Sequence, residues 1–243
     1  MIRPDKSRQE QQQAFVLHRY PFRETSLVVE TFTRDHGRVA LVARGARRPK
    51  SALRGVLQSF QPVLLSWAGK AELRTLVRAE WNGAYAPLKG RSLICGFYLN
   101  ELLLKLLPRD DPHERLFAIY RDALATLGRV EEQEAVLRQF EVHLLRELGY
   151  AVMLDRDVGS GEPIRRERRY VYVIERGPVS AGRDGSRNGV ELAGRTLLDM
   201  HAGDYTDATT QQQSKTLMRM LINHYLGHQL LHTRQLLRDL QEL

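Results

Sequence analysis

The hydrophobic period of this chain changes once, close to residue 88, and that change limits the architectures open to it. Ahead of it lie five short β-branched or apolar runs at 14–18, 27–33, 38–44, 63–67 and 73–80. Turn formers separate them: Pro21, Asp35-His36-Gly37, Pro49, Pro62 and Gly69. In the third run Val39, Leu41 and Ala43 alternate with Arg38, Ala40, Val42 and Arg44. In the fifth, Leu73, Thr75 and Val77 alternate with Arg74, Leu76 and Arg78, which places two arginines on one face. Five short strands in so compact a segment predict a small closed barrel. An OB-fold is the commonest solution, and an SH3-like barrel fits the same strand lengths.

Beyond the change the pattern is helical. Ile94, Tyr98, Leu102 and Leu106 recur every fourth residue until Pro108. Asp111-Pro112-His113-Glu114 has the form of an N-cap, an N1 proline and an acidic third position, opening a helix that stops at Gly128. A third helix carries Leu137, Phe140, Leu144 and Leu148 and stops at Gly149. Glycine-rich, charged sequence follows, with one strand candidate at 170–175. Helices are then expected at about 210–225 and 233–240. The fold class is therefore α+β: a disordered polar N-terminus (1–13), a five-stranded OB-fold barrel (14–88), and a helical domain (89–243) with an irregular insertion at about 155–200.

Charge is concentrated in the barrel segment. The chain carries 37 Lys and Arg against 29 Asp and Glu, a net +8. Between residues 34 and 54, Arg34, Arg38, Arg44, Arg47, Arg48, Lys50 and Arg54 stand against a single acid, Asp35, so this stretch holds +6 of that total. A patch of this kind is what phosphate neutralisation requires, because each engaged phosphate releases condensed counterions. Phe22, Phe32, Phe60 and Trp67 are interleaved with it. Phe32 and Trp67, inside strand runs, are expected in the barrel core, whereas Phe22, at the Pro21 turn, is the candidate for stacking on a base.

Other chemistries find no support in the sequence. There is no GxxxxGK[ST] loop, no GxGxxG and no GxSxG. His224, His228 and His232 are spaced for one helix face, but Gly227 interrupts it, so packing or surface histidines are expected in place of a metal site. Asp155, Asp157 and Glu162 are expected in a solvated loop. Cys95, the single cysteine, lies among apolar helix residues and is expected to be a buried hydrophobe. Residues 1–13 lack the apolar segment of a signal peptide. The apolar stretch 99–107 is too short and too polar to span a bilayer. A cytoplasmic protein with no cofactor, no metal and no membrane partner is expected.

Gly37-Arg38-Val39-Ala40-Leu41-Val42-Ala43-Arg44-Gly45-Ala46-Arg47-Arg48 with Pro49-Lys50-Ser51 closely resembles the RecO family of DNA repair proteins. So do Ala14-Phe15-Val16-Leu17-His18 with Glu24-Thr25-Ser26-Leu27, Leu57-Gln58-Ser59-Phe60, Tyr98-Leu99-Asn100-Glu101-Leu102, Arg138-Gln139-Phe140-Glu141 and Leu148-Gly149-Tyr150. The resemblance runs from about residue 14 to the end and is weakest over the last forty residues. It implies an N-terminal OB-fold, a helical domain, and an insertion that in some members holds zinc through four cysteines. Here the first cysteine pair falls at Asp157 and Ser160, so zinc is not expected.

The resemblance further implies a non-enzymatic, nucleoid-associated recombination mediator. Such a protein binds single- and double-stranded DNA, anneals complementary strands without ATP, and joins RecR to load RecA onto strands coated by single-stranded DNA-binding protein (SSB). On this reading Arg38, Arg44, Arg47, Arg48, Lys50 and Arg54, assisted by Arg74, Arg78 and Phe22, contact DNA. Arg138, with Leu137, receives the acidic C-terminal tail of SSB. The alternative is an OB-fold RNA-binding protein, because phosphate contacts carry no base identity.

Overall fold

Five strands close into a barrel in the order β1-β2-β3-β5-β4, formed by β1 (Arg8–Phe22), β2 (Ser26–Thr33), β3 (Gly37–Ala43), β4 (Pro62–Ala68) and β5 (Leu73–Trp81). The structure, a computed structural model, describes residues 8–130, 132–150, 152–181, 189–227 and 229–239. All neighbours in the barrel are antiparallel except β3 and β5, whose parallel pairing closes it. This is the OB-fold topology. A short helix, α1 (Leu53–Val56), lies between β3 and β4. Val16, Val29, Val39, Leu41, Val63, Leu65, Trp67 and Leu76 fill the interior.

One strand serves both halves of the barrel. β1 pairs with β4 through residues 8–15 and with β2 through residues 14–22, and its pairing shifts register between Gln9 and Gln12 and again between Val16 and His18. Such bulges bend a strand so that it can pass from one sheet direction to the next. At the first, Gln11 adopts φ +50° and donates its amide to Ser66 Oγ at 3.0 Å. Residues 8–13, expected in a disordered tail, are therefore strand. Arg8, Glu10, Gln11 and Gln13 are exposed and Gln9 and Gln12 half-buried while the backbone pairs with β4. Residues 1–7 of that expected tail lie outside the described residues.

The outer face of β1 and β2 is apolar in its first half, and two helices cover it. These are α2 (Gly90–Leu106) and α3 (Glu114–Leu127). Phe15 packs on Phe117 and Tyr120 with ring centroids 5.5 and 5.3 Å apart, and Phe32 packs on Phe117 at 5.4 Å. Asn100 donates from Nδ2 to the Leu17 carbonyl at 2.8 Å and accepts the Tyr120 hydroxyl. Burial pushes the Tyr120 phenol far above its ordinary range, so it stays a neutral donor. Phe32 is thus buried on the outside of the barrel, whereas Trp67 is in its interior, as expected. Gly37 opens β3 at φ +63°, and a Cβ there would meet the Asp111 carbonyl oxygen at 1.9 Å. The segment before α3 can approach the β2–β3 turn only because that side chain is missing.

The chain forms two compact units. The first comprises the described residues through Val130 together with those from Leu231 onward, including α7 (His232–Asp239). The second comprises those between, with α4 (Glu134–Glu147), β6 (Arg169–Val173), β7 (Gly177–Ser180), β8 (Gly189–Ala193), α5 (Gly194–Ala202) and α6 (Ala208–Leu226). Its three strands are antiparallel in the order β7-β6-β8. Leu144, Leu145, Tyr170, Tyr172, Leu197, Leu217, Leu221 and Ile222 are buried there. No helix among the described residues is long and apolar enough to cross a membrane.

Candidate nucleic-acid interface

The segment after β3 is folded as a run of turns. Arg48 donates its amide to the Gly45 carbonyl at 3.1 Å and Ser51 donates to Arg48 at 3.0 Å, with Gly45 at φ +68°. Ala46 and Leu57 are buried in the barrel core, and Leu53 and Val56 pack against it. These apolar anchors fix the backbone and leave the intervening cations outside. Arg44, Arg47, Arg48, Lys50 and Arg54 are all exposed. None of them forms an ion pair among the described residues.

The turn between β1 and β2 joins this rim. Arg47 donates its amide to the Thr25 carbonyl at 2.9 Å and its Nη1 to the Arg23 carbonyl at 3.2 Å. The exposed Arg23 guanidinium lies 5.2 Å from the Phe22 ring centroid. Sequence reasoning missed Arg23, because it is isolated from the 34–54 cluster along the chain. Phe22 itself is not in a turn. It closes β1 opposite Ser26, with Pro21 opposite Leu27, and is half-buried.

The remaining three cations of the expected set are each held by a carboxylate. Arg38 lies 3.7 Å from Glu30, which also holds Arg109, and burial pushes the Arg38 guanidinium down against the opposing pull of Glu30. Arg74 pairs with Asp110 at 2.7 Å and Arg78 with Glu80 at 2.7 Å. The expected shared face of Arg74 and Arg78 does not form. Pairing runs from Ser66–Arg78 directly to Trp67–Leu76, so Val77 is an extra residue that breaks the alternation. Leu76 consequently points into the core, and the two arginines differ in exposure, with the Arg74 side chain 16% exposed and that of Arg78 63%.

In the second unit, Arg138 is not the surface cation the sequence reading requires. It is 9% exposed and paired with Glu141 one turn along α4, and its Nε is buried without a hydrogen-bond partner among the described residues. Leu137 beside it is half-buried. Asp157 is also not in a solvated loop. It is 4% exposed and accepts from the amides of Gly159 (2.8 Å) and Ser160 (3.3 Å) and from the hydroxyl of Ser180 (2.5 Å). The 157–161 stretch is tied to β7 by this carboxylate and by the Val158 amide, which donates to the Pro178 carbonyl at 2.9 Å.

Gly227, at φ +59°, ends α6. His224 therefore lies on α6 and His232 on α7, and His228 lies outside the described residues. His224 meets Glu175 at 3.0 Å. Cys95 is buried in α2, as expected.

A closed five-stranded barrel with a cationic rim is the build of an OB-fold binding module. Family comparison places the chain within that class. Residues 7–85 match the model "Recombination protein O N terminal" and residues 88–235 match "Recombination protein O C terminal". The chain is 58% identical over 239 residues to the DNA repair protein RecO of Nitrosospira multiformis, covering 98% of this chain and 99% of the relative. It is 58% identical over 239 residues to that of Aromatoleum aromaticum, with the same coverage. It is 56% identical over 233 residues to that of Burkholderia pseudomallei, covering 96% and 84%. The chain belongs to the RecO family of DNA repair proteins.

Proposed function

We propose that this protein is a DNA-binding recombination mediator that acts by charge neutralisation and not by covalent catalysis. The observation that carries the reading is the rim of Arg23, Arg44, Arg47, Arg48, Lys50 and Arg54, exposed and without acidic partners among the described residues. Two complementary strands repel each other as polyanions. A rim that holds one backbone and contacts another lowers that repulsion and lets pairing nucleate without nucleotide hydrolysis. Arg38, Arg74 and Arg78, each held by a carboxylate, contribute less than the sequence alone suggests.

The family relationship extends this reading to partners: RecR, and RecA as the protein loaded onto SSB-coated strands. For the SSB tail, Arg138 receives the incoming carboxylate by exchanging it for Glu141, with Leu137 contributing the apolar edge. The Arg138 Nε, unpartnered among the described residues, supports that exchange.

The test is affinity for a labelled single strand across a salt series, with RNA of equal length as competitor. The triple variant Arg47→Glu, Arg48→Glu, Lys50→Glu should bind far more weakly and with a shallower slope of log K against log salt. An unchanged slope overturns the rim assignment, and equal competition by RNA overturns the preference for DNA.

A further inference from the structure

α2 and α3 cover only half of the barrel's outer face. Beyond Phe15 and Phe32 the same face continues through His18, Tyr20 and Phe22 of β1, opposite Glu30, Val28 and Ser26 of β2. This second half is open. It forms a groove of about 1130 Å³ walled by Phe97 and Leu104 of α2 and Leu236 of α7. That exceeds the roughly 300–1,000 Å³ of a pocket for one small molecule, so its shape suits a polymer. Tyr20 on the sheet face is 46% exposed and Phe97 on the facing helix 40%, and the His18 and Tyr20 rings lie 4.4 Å apart.

Two further observations indicate what such a polymer is. First, the groove opens directly onto the cationic rim. Phe22 lines its mouth, and the next residue, Arg23, is hydrogen-bonded through its carbonyl to Arg47. Second, the charges inside are matched, with Lys105 held by Glu101 and Arg109 by Glu30 and Glu72, so the rings are what this stretch offers a ligand. The two carboxylates there are already engaged: Glu30 holds Arg109 and Arg38, and Glu101 holds Lys105 and the first residues of α7. Aromatic faces inside, continuous with rim cations that have no acidic partner among the described residues, match a chain of planar bases on a phosphate backbone.

We infer that this groove is a channel for unpaired single-stranded DNA, whose bases stack on Tyr20 while its backbone passes over the rim. The inference rests on the DNA-binding reading above and divides it. Rim cations meet phosphates in single and double strands alike. The faces of paired bases are hidden within the duplex stack, so Tyr20 serves only unpaired strands.

The experiment compares the affinity of the full-length chain for a single-stranded oligonucleotide and for a hairpin duplex of the same sequence. The variants are Tyr20→Ala and the rim triple Arg47→Glu, Arg48→Glu, Lys50→Glu. Tyr20→Ala should weaken single-strand binding about tenfold, the loss of one stacked base, and leave duplex binding within about twofold. The rim triple should weaken both. As a direct readout of stacking, Tyr20→Trp fluorescence should be quenched by oligo(dT) and not by the hairpin. If Tyr20→Ala changes neither affinity while the rim triple weakens both, the channel is wrong and the DNA-binding reading stands. If the rim triple weakens neither, that reading itself fails. If Tyr20→Ala weakens binding of an acidic peptide with an apolar end and spares the single strand, the groove's occupant is a protein tail and the inference is overturned.

Discussion

Arg47 donates its amide hydrogen to the carbonyl of Thr25 at 2.9 Å, across a gap of more than twenty residues in sequence. With the Arg47 Nη1 bond to the Arg23 carbonyl, it makes the β1–β2 turn and the segment after β3 one surface. Removal of individual cations should therefore be felt in proportion to their freedom from local partners. Arg44→Ala and Arg48→Ala should each lower the salt slope of DNA binding by about 0.9, one released counterion per lost phosphate contact. Arg74→Ala and Arg78→Ala, which remove arginines bound to Asp110 and Glu80, should leave it unchanged. Equal slopes for all four variants would contradict this division.

Arg138 and Glu141 form a buried pair within α4. Breaking such a pair leaves a carboxylate stranded away from water. Arg138→Ala should cost about 3 kcal/mol of stability, read as a lower urea midpoint with an unchanged slope. An unshifted midpoint would show that the pair contributes nothing. Loss of tail-peptide binding in any Arg138 variant must accordingly be measured well below that variant's own midpoint.

Burial alone would raise the Glu101 carboxyl, but hydrogen bonds from the Thr233 hydroxyl and from the amides of Thr233 and His232 outweigh it and hold the group below its ordinary value. A carboxylate depressed in the folded state stabilises the protein fully above its unfolded pKa, about 4.3. That stabilisation is lost as pH falls through the lower folded value. The protection factors of the His232 and Thr233 amides should therefore fall on acidification below about pH 4. In Glu101→Gln they should be low already at neutral pH. Slow exchange in that variant would mean α7 is held by other contacts.

Asp157 gathers its donors from two sides, Gly159 and Ser160 in its own loop and Ser180 on β7. Asp157→Ala should destabilise the second unit by about 2 kcal/mol, the loss of charge-assisted bonds with their donors left behind. Differential exchange confined to 157–161 and 177–180 would localise the effect, and unchanged protection there would refute it.

The barrel was legible in the sequence because alternation and turn formers coincide at every strand. Each of the five expected runs falls inside an observed strand or overruns it by one residue at Arg44. The first half of β1 was not legible. Gln9 to Gln13 carry no apolar period, and their strand character comes from pairing with Leu64 to Trp67, distant in sequence. β7, β8 and α5 were hidden in glycine-rich, charged sequence whose local pattern is weak, while β6 announced itself by Tyr170, Val171, Tyr172 and Val173. The composition of the site was legible, but its exposure was not. Arg38, Arg74 and Arg78 look like Arg44 and Arg48 in sequence, and only the fold brings Glu30, Asp110 and Glu80 beside them. Tyr20 was overlooked although it lies two residues before Phe22 on the same strand face.

α7 returns to the first unit, where its opening amides meet a carboxylate 131 and 132 positions earlier. Synthesis runs the other way. A chain emerging from the ribosome produces Glu101 early, then all of the second unit, and only afterwards the donors that Glu101 requires. The barrel side of the proposed channel therefore exists long before its α7 wall does. A chain terminated before α7 has no Leu236 to bound the groove, so a segment made after the whole second unit decides whether the first unit is complete.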